Sequence, residues 1–274
     1  VLVGIIGGTG KMGKFFRGVF ERAGCRVLVS GRNTPLTPRD LAARCDIVMV
    51  SVPIRETGNM IGVVAPLLME RQILCDLTSL KTDPMKAMLA SRAQVIGLHP
   101  MFGPSVPGLA GQTIIVTPGR CDEGTLRSFL ALFERQGARI TRTTPEEHDR
   151  VMAVVQGLTH FVTLGIADTM RRVGVSPGQT EEFMSPVYRM EMGLVGRLLS
   201  QEPALYSDML RFNPFVPAVL KACEEAISDL GRAVGQGEGT RFEEIFRMDA
   251  EHFGEYRERA AKETDDLIAS MVKR

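Results

Sequence analysis

The chain has 274 residues, 44% of them hydrophobic, so it can bury one large core or two smaller ones. Its formal net charge of +1 argues against a dedicated nucleic-acid or membrane-surface binder and leaves only local patches. The five cysteines (25, 45, 75, 121 and 223) show neither a CxxC pair nor metal-ligand spacing, so reduced, mostly buried thiols in a cytoplasmic protein are expected, with no bound metal. No uninterrupted apolar run reaches the roughly 18–20 residues of a membrane span, and no charged leader precedes the opening "VLVGIIGG". Neither a membrane contact nor a signal peptide is expected.

In chain order, short apolar runs fall at 1–6, 26–30, 46–52, 72–76, 95–98, 113–117 and 138–141, with segments of helical period such as 11–23 and 55–68 between most of them. Alternating strands and helices with near-continuous apolar strands predict a mostly parallel sheet covered on both faces. Near "RTTPEEHD" (142–149) the texture changes. Thr144 is a plausible N-cap, Pro145 fits the first helical position, and Glu146 and Glu147 favour a helix N-terminus. Beyond it only helical patterns occur, broken at 174–178, 202–203, 213–217 and 235–239. The expected fold class is α/β: a Rossmann-like domain over 1–143, then an all-helical domain of about five helices over 144–274 that serves dimerisation.

The first strand runs into Gly8-x-Gly10-x-x-Gly13, which opens a helix. In strand–turn–helix context this pattern predicts dinucleotide binding through Gly8, Thr9, Gly10, Lys11, Met12 and Gly13, with the pyrophosphate at the helix N-terminus. A glycine-rich turn without ligand is the alternative. An NAD site normally has an acid at the end of the second strand, but this chain reads Ser30-Gly31-Arg32-Asn33, with no Asp or Glu between Arg22 and Asp40. Arg32 is placed to pair with a 2′-phosphate and Ser30 to donate to it, so NADP is favoured, with NAD the lesser choice; a solvated surface arginine is the other reading. Ser51-Val52-Pro53 ends the third strand and belongs near the nicotinamide or its ribose. Ser79 and Lys81 of "DLTSLK" (76–81), after the fourth, are expected near the reacting ring, with plain loop chemistry as the alternative.

"VIGLHPMFGP" (95–104) places His99 just past the end of a core strand, in a loop bounded by Pro100 and Pro104. Here the chain resembles the prephenate dehydrogenases of tyrosine biosynthesis. The resemblance is carried by "GLHPMFGP" and "DLTSLK" after a GxGxxG start, and continues through "EEHDRVMAVVQGLTHF" (146–161) and "SPVYRMEMGLVGRLLSQEPALYSDM" (185–209). It implies oxidative decarboxylation of prephenate to 4-hydroxyphenylpyruvate and CO2, with hydride transfer to a nicotinamide. The family also includes arogenate dehydrogenases, which these motifs do not separate. A form without a fused chorismate mutase is expected, since the chain opens on the first strand.

The resemblance assigns His99 to the ring hydroxyl, where a neutral imidazole suits proton removal, and Ser79 to a hydrogen bond in the same neighbourhood. It assigns Arg197 to a substrate carboxylate and His160 to the substrate side chain, though a satisfied buried histidine fits His160 almost as well. Arg189, two helical turns before Arg197, is a second substrate candidate or the partner of a nearby glutamate. His148 is read as capping its own helix start, and His252 has no functional argument. An acidic gating residue found after the histidine loop in some members is missing from "GPSVPG" (103–108), so gating roles do not transfer. Two competing readings are a deazaflavin-dependent NADP reductase, suggested by "IIGGTGKMGK", and a non-catalytic nucleotide sensor on a Rossmann scaffold.

Overall fold

Seven strands, β1 (Leu2–Ile6), β2 (Arg26–Ser30), β3 (Ile47–Val50), β4 (Ile73–Asp76), β5 (Gln94–Pro100), β6 (Thr113–Pro118) and β7 (Arg139–Arg142), form one sheet in the order β2-β1-β3-β4-β5-β6-β7. The coordinates are a computed structural model and describe residues 1–272. The helices of this part are α1 (Lys11–Arg22), α2 (Pro38–Arg44), α3 (Ile54–Val64), α4 (Thr82–Leu89), α5 (Glu123–Glu134) and α6 (Pro145–Met152). Side chains alternate across the strands, so one face of the sheet carries Val3, Ile5 and Met49 against Phe16, Phe20, Phe129 and Phe133 of α1 and α5. The other face carries Ile6, Val48 and Leu74 against Leu41, Ile61 and Met85 of α2, α3 and α4. Burial on both faces explains why β1, β3, β4 and β5 read as continuous apolar runs.

The sheet is not parallel throughout. β6 runs antiparallel to β5, and β7 then pairs parallel with β6. The β5–β6 ladder extends through His99↔Ile115 and Pro100↔Ile114, whereas β4 pairs with β5 only as far as Gly97. His99 therefore belongs to the strand itself and not to a loop beyond it; pairing on the β6 side carries the strand three residues past Gly97.

The remainder is helical: a π-helical turn (Ala153–Leu158) continues α6 into α7 (Thr159–Val173), followed by α8 (Pro177–Thr180), α9 (Pro186–Leu199), α10 (Pro203–Phe212), α11 (Val216–Gly235), α12 (Gly239–Phe253) and α13 (Tyr256–Val272). The last stretch is two helices, broken at Gly254 with φ +50°. Two compact units result, Val1–Met152 with Ser207–Pro214, and Ala153–Tyr206 with Phe215 onward. The division falls after α6 because Asp149 on that helix accepts from the Lys81 and Thr82 amides. The segment Ser207–Pro214 joins the sheet unit through a bidentate Arg55–Asp208 pair at 2.8 and 2.9 Å, and through Asn213 Nδ2, which donates to the Asp149 carbonyl at 2.7 Å. The uninterrupted-run reading missed one feature: the continuous helix Pro145–Val173 is long and apolar enough, by length and composition alone, to cross a membrane. Polar residues punctuate it without bringing its mean hydropathy down. All five cysteines are unpaired, and Cys25, Cys45 and Cys75 are buried.

Candidate active site

The strand order places β1 between β2 and β3, so the crevice beyond the carboxyl ends of β1 and β3 is the topological switch point of the sheet. β1 ends in a turn at Gly7, whose φ of +81° suits a residue without a Cβ. The Gly7 and Gly8 amides donate to the Ser30 carbonyl at 2.7 and 3.2 Å, which ties the turn to β2. A Cβ at Gly13 would stand 2.4 Å from the Gly7 oxygen, so the start of α1 packs directly on this turn. Gly10 is the N-cap of α1; no side chain caps the helix and no acid lies in its first turn. Thr9, Gly10 and Lys11 are exposed. Uncapped amides at the positive end of a helix dipole make an anion site, and these residues fit a dinucleotide pyrophosphate.

Ser30 is not where the sequence reading put it. Its side chain is buried, and its carbonyl holds the glycine turn, because the last residue of β2 is still paired within the sheet, opposite Ile6. Arg32 and Asn33 are exposed on the next turn, which Thr34 Oγ1 braces by accepting from the Gly31 amide at 2.8 Å. A Cβ at Gly31 would lie 2.5 Å from Thr9 Oγ1, so the Arg32 turn abuts the glycine loop. The Arg32 guanidinium has no acidic partner among the described residues. The first acid downstream, Asp40, is engaged in a capping box, accepting from the Thr37 amide at 2.8 Å and the Thr37 hydroxyl at 2.7 Å. On the other flank the Ser51 amide donates to the Ile6 carbonyl at 2.8 Å, the Ser51 carbonyl and Val52 side chain crowd Gly7, and Pro53 caps α3.

Lys81 also departs from expectation. Instead of facing a reacting ring, its stem runs back into the core, where Nζ pairs with Asp76 Oδ2 and donates to the Leu98 carbonyl at 2.9 Å. Burial pushes Asp76 up and Lys81 down, and their mutual attraction only partly offsets this. A Cβ on Gly97 would stand 2.3 Å from Thr117 Oγ1, 2.7 Å from Met85 Sδ and 3.1 Å from Lys81 Cδ, so the glycine two residues before His99 makes room for all three side chains. Ser79 lies half-buried on the same β4–α4 turn.

His99 is 3% exposed. Its Nδ1 lies 2.8 Å from His148 Nε2, and His148 Nδ1 lies 2.8 Å from Asp149 Oδ1. Burial, then His148 and Lys81, hold the His99 imidazole well below its ordinary pKa, so it is neutral at pH 7. Burial likewise lowers His148, while hydrogen bonds from His148, Thr82 and Lys81 keep Asp149 low. The sequence reading missed His148 and Asp149; His148 does not cap its helix, since Thr144 Oγ1 takes that role by accepting from the Glu147 amide at 3.2 Å. The available signal was helical register, because His148 and Asp149 share the buried face of α6 with Met152.

In the helical unit, Arg189 and Arg197 project exposed from α9, and neither has an ion-pair partner among the described residues. The His160 ring meets Tyr206 edge-on, with centroids 4.8 Å apart, and partial burial lowers its pKa. α7 and α9 border an apolar groove of about 780 Å³ lined by Leu164, Met170, Met192, Val195 and Leu199 among others.

The family model for the prephenate dehydrogenase nucleotide-binding domain matches residues 30–142, and that for the prephenate dehydrogenase dimerization domain matches residues 144–248. The chain belongs to the prephenate dehydrogenase family. It is 33% identical to a probable arogenate/prephenate dehydrogenase of Methanocaldococcus jannaschii, an alignment covering 98% of this chain and 65% of that one. It is 34% identical to the T-protein of Enterobacter agglomerans, over 97% of this chain and 71% of the relative. The chain thus spans about two thirds of the length of these relatives. Its fold is shared with a prephenate dehydrogenase from A. aeolicus solved with hydroxyphenyl propionate and NAD+ (TM-score 0.70, 21% identity, 92% and 97% of the two chains). It is shared too with Synechocystis arogenate dehydrogenase (TM-score 0.71, 17% identity, 93% and 100%).

Proposed function

We propose that this chain is a prephenate dehydrogenase that uses NADP, and that His99 is its proton acceptor. The observation that carries the reading is a buried imidazole, neutral at pH 7, at the carboxyl end of a strand in the sheet whose switch point offers an open anion site. When bound, the nicotinamide supplies a hydride acceptor. The ring carbinol of prephenate then loses hydride from carbon and a proton from oxygen, and the proton passes to His99. The C–COO⁻ bond of the resulting dienone breaks, CO2 leaves, and the bonding pair completes the aromatic ring with negative charge on its oxygen. That oxygen needs one proton, and the one on His99 balances it, so His99 acts as base and then as acid.

Ser79 is assigned a hydrogen bond beside the same hydroxyl, and Arg197 a substrate carboxylate, with Arg189 and His160 as further substrate contacts. Arg32 reads the 2′-phosphate; its support is an exposed, unpaired guanidinium on a turn against the glycine loop, with Asp40 committed elsewhere. The helical unit forms a homodimer. The deciding experiment assays prephenate and arogenate, each with NAD and NADP. Highest kcat/KM for prephenate with NADP is expected; preference for arogenate, or for NAD, would revise that half of the assignment.

A further inference from the structure

The chain of contacts behind His99 ends on a fixed charge. Asp149 Oδ1 accepts from the Lys81 amide at 2.8 Å, and Oδ2 accepts from the Thr82 amide at 2.9 Å. Both oxygens are therefore acceptors, and the carboxylate is held in place by the first residues of α4 and the turn before it. A ring nitrogen 2.8 Å from such a carboxylate carries the hydrogen, so His148 is protonated at Nδ1. A neutral His148 then has its lone pair on Nε2. That nitrogen lies 2.8 Å from His99 Nδ1, so His99 must donate there and be the Nδ1–H tautomer. In that tautomer Nε2 carries no hydrogen and is the basic nitrogen. With the opposite polarity, His148 Nε2–H would donate to His99 Nδ1, and the neutral His99 would carry hydrogen on Nε2, where it accepts no proton.

We propose that His148 and Asp149 are positioning residues that set the tautomer of His99. The inference rests on the reading of His99 as the base, and it extends that reading from which residue acts to which nitrogen. The charged and titratable groups facing the two rings are Asp149, Lys81 and Asp76. Asp149 and Asp76 favour a cation on His148, whereas burial and Lys81 oppose it and keep His148 neutral, as the relay requires.

The test is the two-bond proton–nitrogen spectrum of the whole protein with labelled histidines, recorded above neutral pH. The His99 signals are assigned by their loss in His99→Asn. Expected in the unmodified protein are Nδ1–H tautomers for both His99 and His148; a His99 bearing hydrogen on Nε2 would overturn the proposal without any variant. In Asp149→Asn the side-chain amide can donate to His148 Nδ1. Both rings are expected to switch to Nε2–H, kcat for prephenate to fall on the order of 10²–10⁴, the usual worth of a positioned base, and KM to change little. His148→Gln offers an amide oxygen to His99 Nδ1 and should keep the Nδ1–H tautomer, with kcat within about tenfold of the parent, far short of the full worth of the base. A His99 tautomer left unchanged while His148 has switched to Nε2–H, in folded Asp149→Asn, overturns the relay whatever the rate. A switched tautomer at undiminished kcat upholds the relay and overturns His99 as the base.

Discussion

His99 Nδ1 and His148 Nε2 lie 2.8 Å apart, with the two rings inclined at 65° and their centroids 5.0 Å apart. One histidine comes from a sheet strand and the other from a helix 49 residues later, so tertiary packing alone makes the contact. It uses Nδ1 of His99 and Nε2 of His148, one as donor and the other as acceptor.

The first prediction follows from the charge state of His99. The proposed base works only when neutral, and its pKa lies below the ordinary value of 6.5. The acidic limb of the kcat profile should therefore fall below pH 6.5, with rate dropping tenfold per pH unit beneath it. His99→Asn should lose on the order of 10²–10⁴ in turnover, lose that limb, and keep NADP binding. If the limb survived in His99→Asn, the base would be another group.

Cofactor choice gives the second. Arg32→Ala should raise KM for NADP by roughly tenfold to a hundredfold, the worth of one charge-assisted contact of ~1.5–3 kcal/mol. KM for NAD should hardly move. Equal losses with both cofactors would mean that Arg32 does not read the 2′-phosphate.

How much of this was legible before the structure divides along physical lines. The central strands β1, β3, β4 and β5 could be read because they are buried on both faces and so stay apolar along their length, whereas the edge strands β2 and β7 are partly exposed and carry arginines. The reversed direction of β6 was legible only in hindsight: the link over 101–112 holds no helix, and a parallel return needs a crossover. Lys81 was misread because a lysine just after a strand normally reaches solvent; here its stem turns inward over Gly97 to a carboxylate hidden in the core. Ser30 was misread because, as the last residue of β2, it still lies inside the sheet, paired with Ile6 and buried. His148 and Asp149 were overlooked because their meaning depends on a contact with β5 that helical period does not name.

The third prediction concerns Arg197. As an exposed guanidinium on α9 without an acidic partner among the described residues, it can be removed without breaking an ion pair. Arg197→Ala should raise KM for prephenate with a smaller change in kcat, and Arg197→Lys should rescue only in part, since it loses the planar fork. Unchanged substrate affinity in folded Arg197→Ala would remove the assignment.

The buried Lys81–Asp76 pair supplies a stability prediction. Lys81→Met leaves a carboxylate in the core with no cation, and breaking such a pair costs about 3–5 kcal/mol. Asp76, already raised by burial, then rises further. A carboxylate whose folded pKa exceeds its unfolded one binds more protons when folded, so the variant should gain stability as pH falls toward the unfolded value. Urea unfolding at two pH values measures this, and a larger deficit at the lower pH would refute it.

The last prediction is the assembly. α7 has no fully buried residue although it is apolar around much of its circumference, and on α9 Val187, Leu194 and Leu199 are each more than half exposed. The groove bordered by these two helices is apolar, and this stretch lies within the match to the dimerization domain. An apolar surface of this kind is covered in a stable protein, and the predicted cover is a second copy of the same face, related by two-fold symmetry. Sedimentation of the protein in detergent-free buffer should show a dimer. Leu194→Glu, which buries a charge at each copy of the contact, should shift it toward monomer without unfolding the sheet unit. The apolar length of Pro145–Val173 offers the opposite outcome: a chain that stays in solution only with detergent would assign that surface to lipid and end the dimer proposal.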